Sequence, residues 1–112
     1  DNILIVTVVE FETYGDGKHY YYVIEIETST GLKEWTVKRR YSDFLELHSK
    51  LKRKFPRRIL PPLPGKKLFV RYLSEEFIEK RRRGLEKYLQ KLLNHPELIN
   101  HSEVVLEFLE SS

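Results

Sequence analysis

The chain opens on a β-branched run, Ile-Leu-Ile-Val-Thr-Val-Val-Glu-Phe over residues 3–11, which predicts a first strand. Gly15-Asp16-Gly17 predicts a turn, and residues 19–28 a second strand. Within it Tyr20, Tyr22, Ile24 and Ile26 share one face, and Glu25 and Glu27 the other. Thr30-Gly31 reverses the chain into a third strand with Trp35 and Val37 toward the core. Turns this short imply an antiparallel meander. The period then changes. Phe44, Leu47, His48, Leu51 and Phe55 recur at helical spacing, with Ser42 as expected N-cap, Pro56 as stop and His48 as a packing residue. Residues 56–67 hold all but one of the prolines and predict a stiff loop. Ser74-Glu75-Glu76 opens a long helix expected to bury Phe77, Leu85, Tyr88, Leu89 and Leu92 and to stop near Asn94-His95-Pro96. Ser102 caps a last short helix with Val105, Phe108 and Leu109 inward. The fold class is α+β: a three-stranded antiparallel meander sheet against three to four helices, with a proline-rich loop, in a single domain over 1–112.

A core of this kind is feasible in 112 residues of which 40% are hydrophobic and 33% charged. Cysteine is absent and the four histidines never fall at i, i+4 spacing, so neither a disulfide, a metal site nor a cofactor is expected. No apolar run approaches the roughly 20 residues that span a bilayer, and no signal peptide is visible. The sequence contains neither methionine nor alanine and does not begin with Met; it reads as an excised or engineered domain.

Charge adds what periodicity does not show. The net charge is only +3, yet residues 38–83 carry 16 basic and 5 acidic side chains, while the segments on either side are acidic. A positive field so concentrated suits an anionic partner.

Three strings, in order, carry a family resemblance. Arg39-Arg40-Tyr41-Ser42-Asp43-Phe44 at a strand-to-helix junction, Pro61-Pro62-Leu63-Pro64-Gly65-Lys66, and Phe77-Ile78-Glu79-Lys80-Arg81 resemble the phox-homology (PX) signature. Asn94-His95-Pro96-Glu97 and Val105-Leu106-Glu107-Phe108-Leu109 are similar to sorting-nexin members. The resemblance implies a non-enzymatic module that docks on membranes by gripping a phosphoinositide headgroup, with phosphatidylinositol 3-phosphate as the expected lipid. It implies a cytoplasmic domain, peripheral on early endosomes or other phosphoinositide-bearing membranes.

It also implies roles. Arg40 takes the 3-phosphate, since a guanidinium fork matches two phosphate oxygens. Strand alternation from Trp35 and Val37 puts Arg39 on their face and does not decide between the two arginines. Tyr41 lays its ring against inositol. Lys66 meets the 1-phosphate. Arg81 takes the 4- and 5-hydroxyls, and here the residues speak too: Phe77, Arg81, Leu85 and Leu89 are spaced by four, which sets a charge on an apolar stripe where it must be matched. Arg83 is expected in solvent and Arg82 between. Leu68, Phe69 and Val70 form the segment the resemblance places in the bilayer, with about 0.8 kcal/mol per buried methylene. Arg39, Lys67 and Arg82 leave room for a second phosphate.

Other classes fare less well. No Gly-rich phosphate loop, HExxH, GxSxG or CxxC pattern appears, so catalysis is not expected. The basic segment with aromatics is compatible with a nucleic-acid surface, but its charges come from a strand end, a loop and a helix converging on one point, so no nucleic acid is expected. Arg58-Ile59-Leu60-Pro61-Pro62-Leu63-Pro64 fits an SH3 ligand, and its Pro-Pro-Leu-Pro a WW ligand.

Overall fold

The computed structural model describes residues 4–13, 15, 20–65, 74–95 and 102–110. Three strands, β1 (Leu4–Thr13), β2 (Tyr20–Thr28) and β3 (Glu34–Arg39), precede three helices, α1 (Tyr41–Lys54), α2 (Glu75–Leu93) and α3 (Glu103–Phe108). The sheet is an antiparallel meander in the order β1-β2-β3. Alternation sets its faces as expected: Tyr22, Ile24 and Ile26 are buried, while Glu25 and Glu27 are exposed. The β2–β3 reversal needs a left-handed residue, and Gly31 supplies it at φ +75°. There the Gly31 N–H donates to the Thr28 carbonyl at 2.8 Å.

The helices close one side of the core. Phe44, Leu47 and Leu51 of α1 are buried, with Ile78, Leu85, Tyr88, Leu89, Leu92 and Leu93 of α2 and Val105 and Phe108 of α3. Ser74 and Ser102 act as N-caps: their hydroxyls accept from the Phe77 N–H at 3.1 Å and the Val104 N–H at 3.2 Å. His48 packs as expected, its Nδ1 2.7 Å from the Tyr88 hydroxyl.

Two local readings need correction. Ser42 is not an N-cap. The helix begins two residues earlier, with Arg40 in the cap position and Tyr41 first in the helix, because Asp43 reaches back to accept from the Arg40 N–H at 2.7 Å. Phe77 is half-buried rather than buried, and Ile78 takes the core position at the start of α2. Among the described residues there are three helices and none is long and apolar enough to cross a membrane.

Two packing contacts fix the frame around the basic segment. β1 bulges between Val8 and Glu10, and α2 covers its outer backbone edge. Glu86 Oε1 accepts from the Val8 N–H at 2.9 Å, the Arg82 guanidinium donates to the Val8 carbonyl, and Gln90 Nε2 donates to the Val6 carbonyl at 3.4 Å. Residues 82, 86 and 90 lie four apart on one helix face, so one polar ladder serves one strand edge. On another face, Gly84 admits the proline loop: a Cβ there would fall 2.6 Å from Pro64 Cγ.

Candidate functional site

The junction between β3 and α1 separates two adjacent arginines. Strand alternation carries Arg39 to the side of Trp35 and Val37, where it is half-buried. Its guanidinium is consumed there. Nε donates to the Phe108 carbonyl at 2.9 Å, Nη2 to the Glu110 carbonyl at 2.9 Å and Nη1 to the Lys38 carbonyl at 2.8 Å. It thus satisfies carbonyls at the C-terminal end of α3, where a cation is favoured. Trp35 Nε1 adds a bond to the Leu109 carbonyl at 2.7 Å. Arg40, one residue on, leaves the strand pattern and is exposed at the start of α1. Alternation along β3 therefore assigns Arg39 to structure.

Arg81 lies on the buried face of α2, only 9% exposed. Among the described residues no carboxylate pairs with it. Its contacts are aromatic instead. The guanidinium carbon sits 3.9 Å from the Tyr41 ring centroid and 4.6 Å from that of Phe77, four residues earlier on the same helix. Nη1 donates to the Tyr20 hydroxyl at 3.1 Å. Arg81 Nε and the Tyr22 hydroxyl are buried and have no hydrogen-bond partner among the described residues. A cation at this depth held by π-faces and phenol oxygens, with no carboxylate beside it among the described residues, keeps its charge available to an anion or a polyol.

Tyr41 links this cation to the proline loop. Its ring faces Arg81, while its hydroxyl donates to the Pro64 carbonyl. Burial pushes the Tyr41 phenol above its ordinary pKa and Arg81 pulls it back, so it stays a neutral donor at physiological pH. Burial likewise pushes the Tyr22 phenol well up, chiefly by desolvation. Pro64 is wedged against α2 at Gly84. Ring, loop and helix are therefore mutually positioned.

The structure thus joins Tyr41 to Arg81 directly and sets Arg40 next to Tyr41 at the start of the same helix. Lys66, Leu68, Phe69 and Val70 lie outside the described residues, as does Lys67. Lys66 follows Pro64 by two positions, so the chain leading to it is anchored at the Tyr41 hydroxyl. Of the other cations once open to a second phosphate, Arg39 is taken as described and Arg82 is held by Glu79. That pair closes to 2.7 Å, and the Arg82 guanidinium also meets Glu86 at 3.8 Å. The bond to Arg82 holds the Glu79 carboxyl below the usual carboxylate range. Arg83 is exposed, as its position on the helix predicted. Of the SH3-type string, Arg58 is exposed while Pro61 and Pro64 are half-buried.

Two contributors escaped the sequence reading. Tyr20 was read only as a core-face strand residue, and Phe77 only as apolar stripe. For Phe77 the signal was present, since it precedes Arg81 by four residues. For Tyr20, 61 residues from its partner, no local pattern exists.

The family model of the PX domain matches residues 27–112. The chain belongs to the PX domain family. Sorting nexin-3 of Schizosaccharomyces pombe is 37% identical over 116 residues, covering 99% of this chain and 80% of that protein. Among solved structures, a designed CISK-PX domain superposes with a TM-score of 0.78 at 42% identity, covering 95% of this chain and 98% of the other. The mouse SNX19 PX domain with a bound sulphate ion gives 0.66 at 30% identity, covering 97% of each chain. The three-stranded meander with its helices is the architecture of these PX structures. As a PX domain with sorting-nexin relatives, the chain is a phosphoinositide-binding, membrane-targeting module.

Proposed function

We propose that this PX domain recognises phosphatidylinositol 3-phosphate and so recruits its host to early endosomal membranes, acting by binding alone. The observation that carries the reading is the Arg81 guanidinium, deeply buried, lacking a carboxylate among the described residues and set against Tyr41. Arg40 is assigned the 3-phosphate, Tyr41 the apolar face of inositol, Arg81 the ring hydroxyls and Lys66 the 1-phosphate. Guanidinium forks suit phosphate oxygens and vicinal hydroxyls in a way an ammonium does not. The bound sulphate of the SNX19 PX domain is in keeping with an anion-binding role.

The preference for one added phosphate rests on what is already occupied. Arg39 is spent on α3 and Arg82 on Glu79, so two of the three cations (Arg39, Lys67 and Arg82) considered for a further phosphate are committed elsewhere. The basic 38–83 segment draws the domain toward an anionic leaflet, at about 1 kcal/mol per lysine or arginine near the surface. Leu68, Phe69 and Val70 then hold it in the bilayer. Phe69→Glu should shorten residence without changing headgroup choice.

Liposome pelleting across the phosphoinositide series tests this. Phosphatidylinositol 3-phosphate vesicles should retain the protein best, and Arg81→Ala should flatten the preference while leaving a general attraction to acidic vesicles. Stronger retention by bis-phosphorylated lipids would contradict the assignment. An SH3 or WW partner at Arg58–Pro64 would have to draw Pro64 away from Gly84 and Tyr41.

A further inference from the structure

We infer that Tyr20 is a positioning residue for the headgroup: its hydroxyl sets the orientation of Arg81 and thereby the alignment of the donors that Arg81 presents. The inference rests on the pocket reading above. Arg81 reaches its site from α2 through a long side chain with several rotatable bonds. At 9% exposure it has few polar neighbours with which to fix its plane. The rings of Tyr41 and Phe77 attract the guanidinium, but a π-face does not set rotation about its own normal. A directional bond does, and Nη1 to the Tyr20 hydroxyl at 3.1 Å supplies it; the Tyr22 hydroxyl lies near enough to feel the Arg81 charge but makes no aligned hydrogen bond among the described residues.

Tyr20 is built to hold that bond without spending the charge. Its ring packs edge-on against Phe11 at 6.0 Å and against Tyr22 at 5.6 Å, so the hydroxyl is held from two sides. The phenol is neutral and accepts one N–H. An Asp or Glu at this place would neutralise Arg81 and compete with the ligand. A Phe would leave the guanidinium free to turn toward the Tyr22 hydroxyl, which lacks a partner among the described residues. Tyr20 is itself only half-buried, so its hydroxyl is not needed to complete the core.

The test is Tyr20→Phe, which keeps the ring contacts and removes one oxygen. Calorimetric titration with soluble short-chain phosphatidylinositol 3-phosphate should show affinity about 3–10-fold weaker than wild type, with Tm nearly unchanged. In an Arg81→Lys background, where the guanidinium is gone, the same substitution should change affinity by less than about 1.5-fold. Arginine side-chain NMR on the unligated domain gives a second readout that does not depend on that background folding. Rotation about the Arg81 Cζ–Nη bonds should be slow in wild type and faster in Tyr20→Phe. Wild-type affinity in Tyr20→Phe, or an equal loss in both backgrounds, or unchanged guanidinium rotation, would overturn the inference. Arg40→Ala runs alongside. Loss in Arg40→Ala with none in Tyr20→Phe removes only the role of Tyr20, whereas no loss in Arg40→Ala removes the pocket and this inference with it.

Discussion

The Arg81 guanidinium lies 3.9 Å from the centre of the Tyr41 ring, and that contact ties α2 to the first residue of α1. Tyr41 then reaches past it to the Pro64 carbonyl. One side chain therefore serves two ends of the pocket, by its face and by its hydroxyl. Tyr41→Phe keeps the face, and headgroup affinity should fall only about 2–4-fold, in line with one neutral hydrogen bond. Tyr41→Ala removes the ring as well and should cost more than about tenfold, since a partly desolvated cation–π contact alone is worth about 1–2 kcal/mol. Titration of both variants with one soluble headgroup separates the two contributions.

Arg39 and Arg40 should part company in a stability assay. Arg39→Ala strips the donors from the carbonyls of Phe108 and Glu110. Loss of about 1–3 kcal/mol is expected, seen as a Tm lower by at least about 4 °C. Arg40→Ala, at an exposed position, should lower Tm less than Arg39→Ala does. Differential scanning fluorimetry of the two proteins side by side is sufficient.

Gly84 gives a prediction opposite in sign to helix propensity. In an open helix, Gly→Ala gains about 1 kcal/mol. Here the added methyl meets Pro64 Cγ at 2.6 Å, and Pro64 is also the residue that Tyr41 holds. Gly84→Ala should therefore lower Tm and weaken headgroup binding together, the overpacking cost being about 1–3 kcal/mol. A raised Tm would show that the proline loop gives way freely.

His48 should make stability fall in mild acid. Burial lowers its pKa, and the nearby Lys52 lowers it further. The unfolded chain then takes up a proton more readily than the folded one. The contribution is thus intact above the unfolded value near about 6.5 and is lost as pH falls through it toward the lower folded value. The drop in Tm between pH 7.5 and pH 5.0 should be larger for wild type than for His48→Gln. Equal drops would assign the acid sensitivity to other groups.

The sheet, α2 and α3 were legible because each writes its own local code. Glu25 and Glu27 alternate against Ile24 and Ile26, and Ser74 and Ser102 stand before their helices as caps. The start of α1 was misread because Ser42 is an ordinary capping residue. The deciding contact is Asp43 reaching back to a backbone N–H, which residue preference at position 42 does not reveal. In the site, Arg81 announced itself as a charge on an apolar stripe. The partition between Arg39 and Arg40 did not, because it depends on where the C-terminal end of α3 lies, about 70 residues away. Tyr20 is hidden for the same reason: its phenol meets Arg81 only when the meander and α2 are brought together.

In the proposed pocket Arg40 heads, and Tyr41 and Arg81 floor, the grip on a 3-phosphorylated inositol. Calorimetric titration of wild type and Arg40→Ala with soluble short-chain phosphatidylinositol 3-phosphate isolates that grip, because no bilayer contributes to the signal. Saturable one-to-one binding by wild type and a loss of at least about tenfold in a well-folded Arg40→Ala are expected, as for removal of a charge-assisted phosphate contact. Equal binding by the two proteins would rule out Arg40 as the phosphate ligand and the pocket with it.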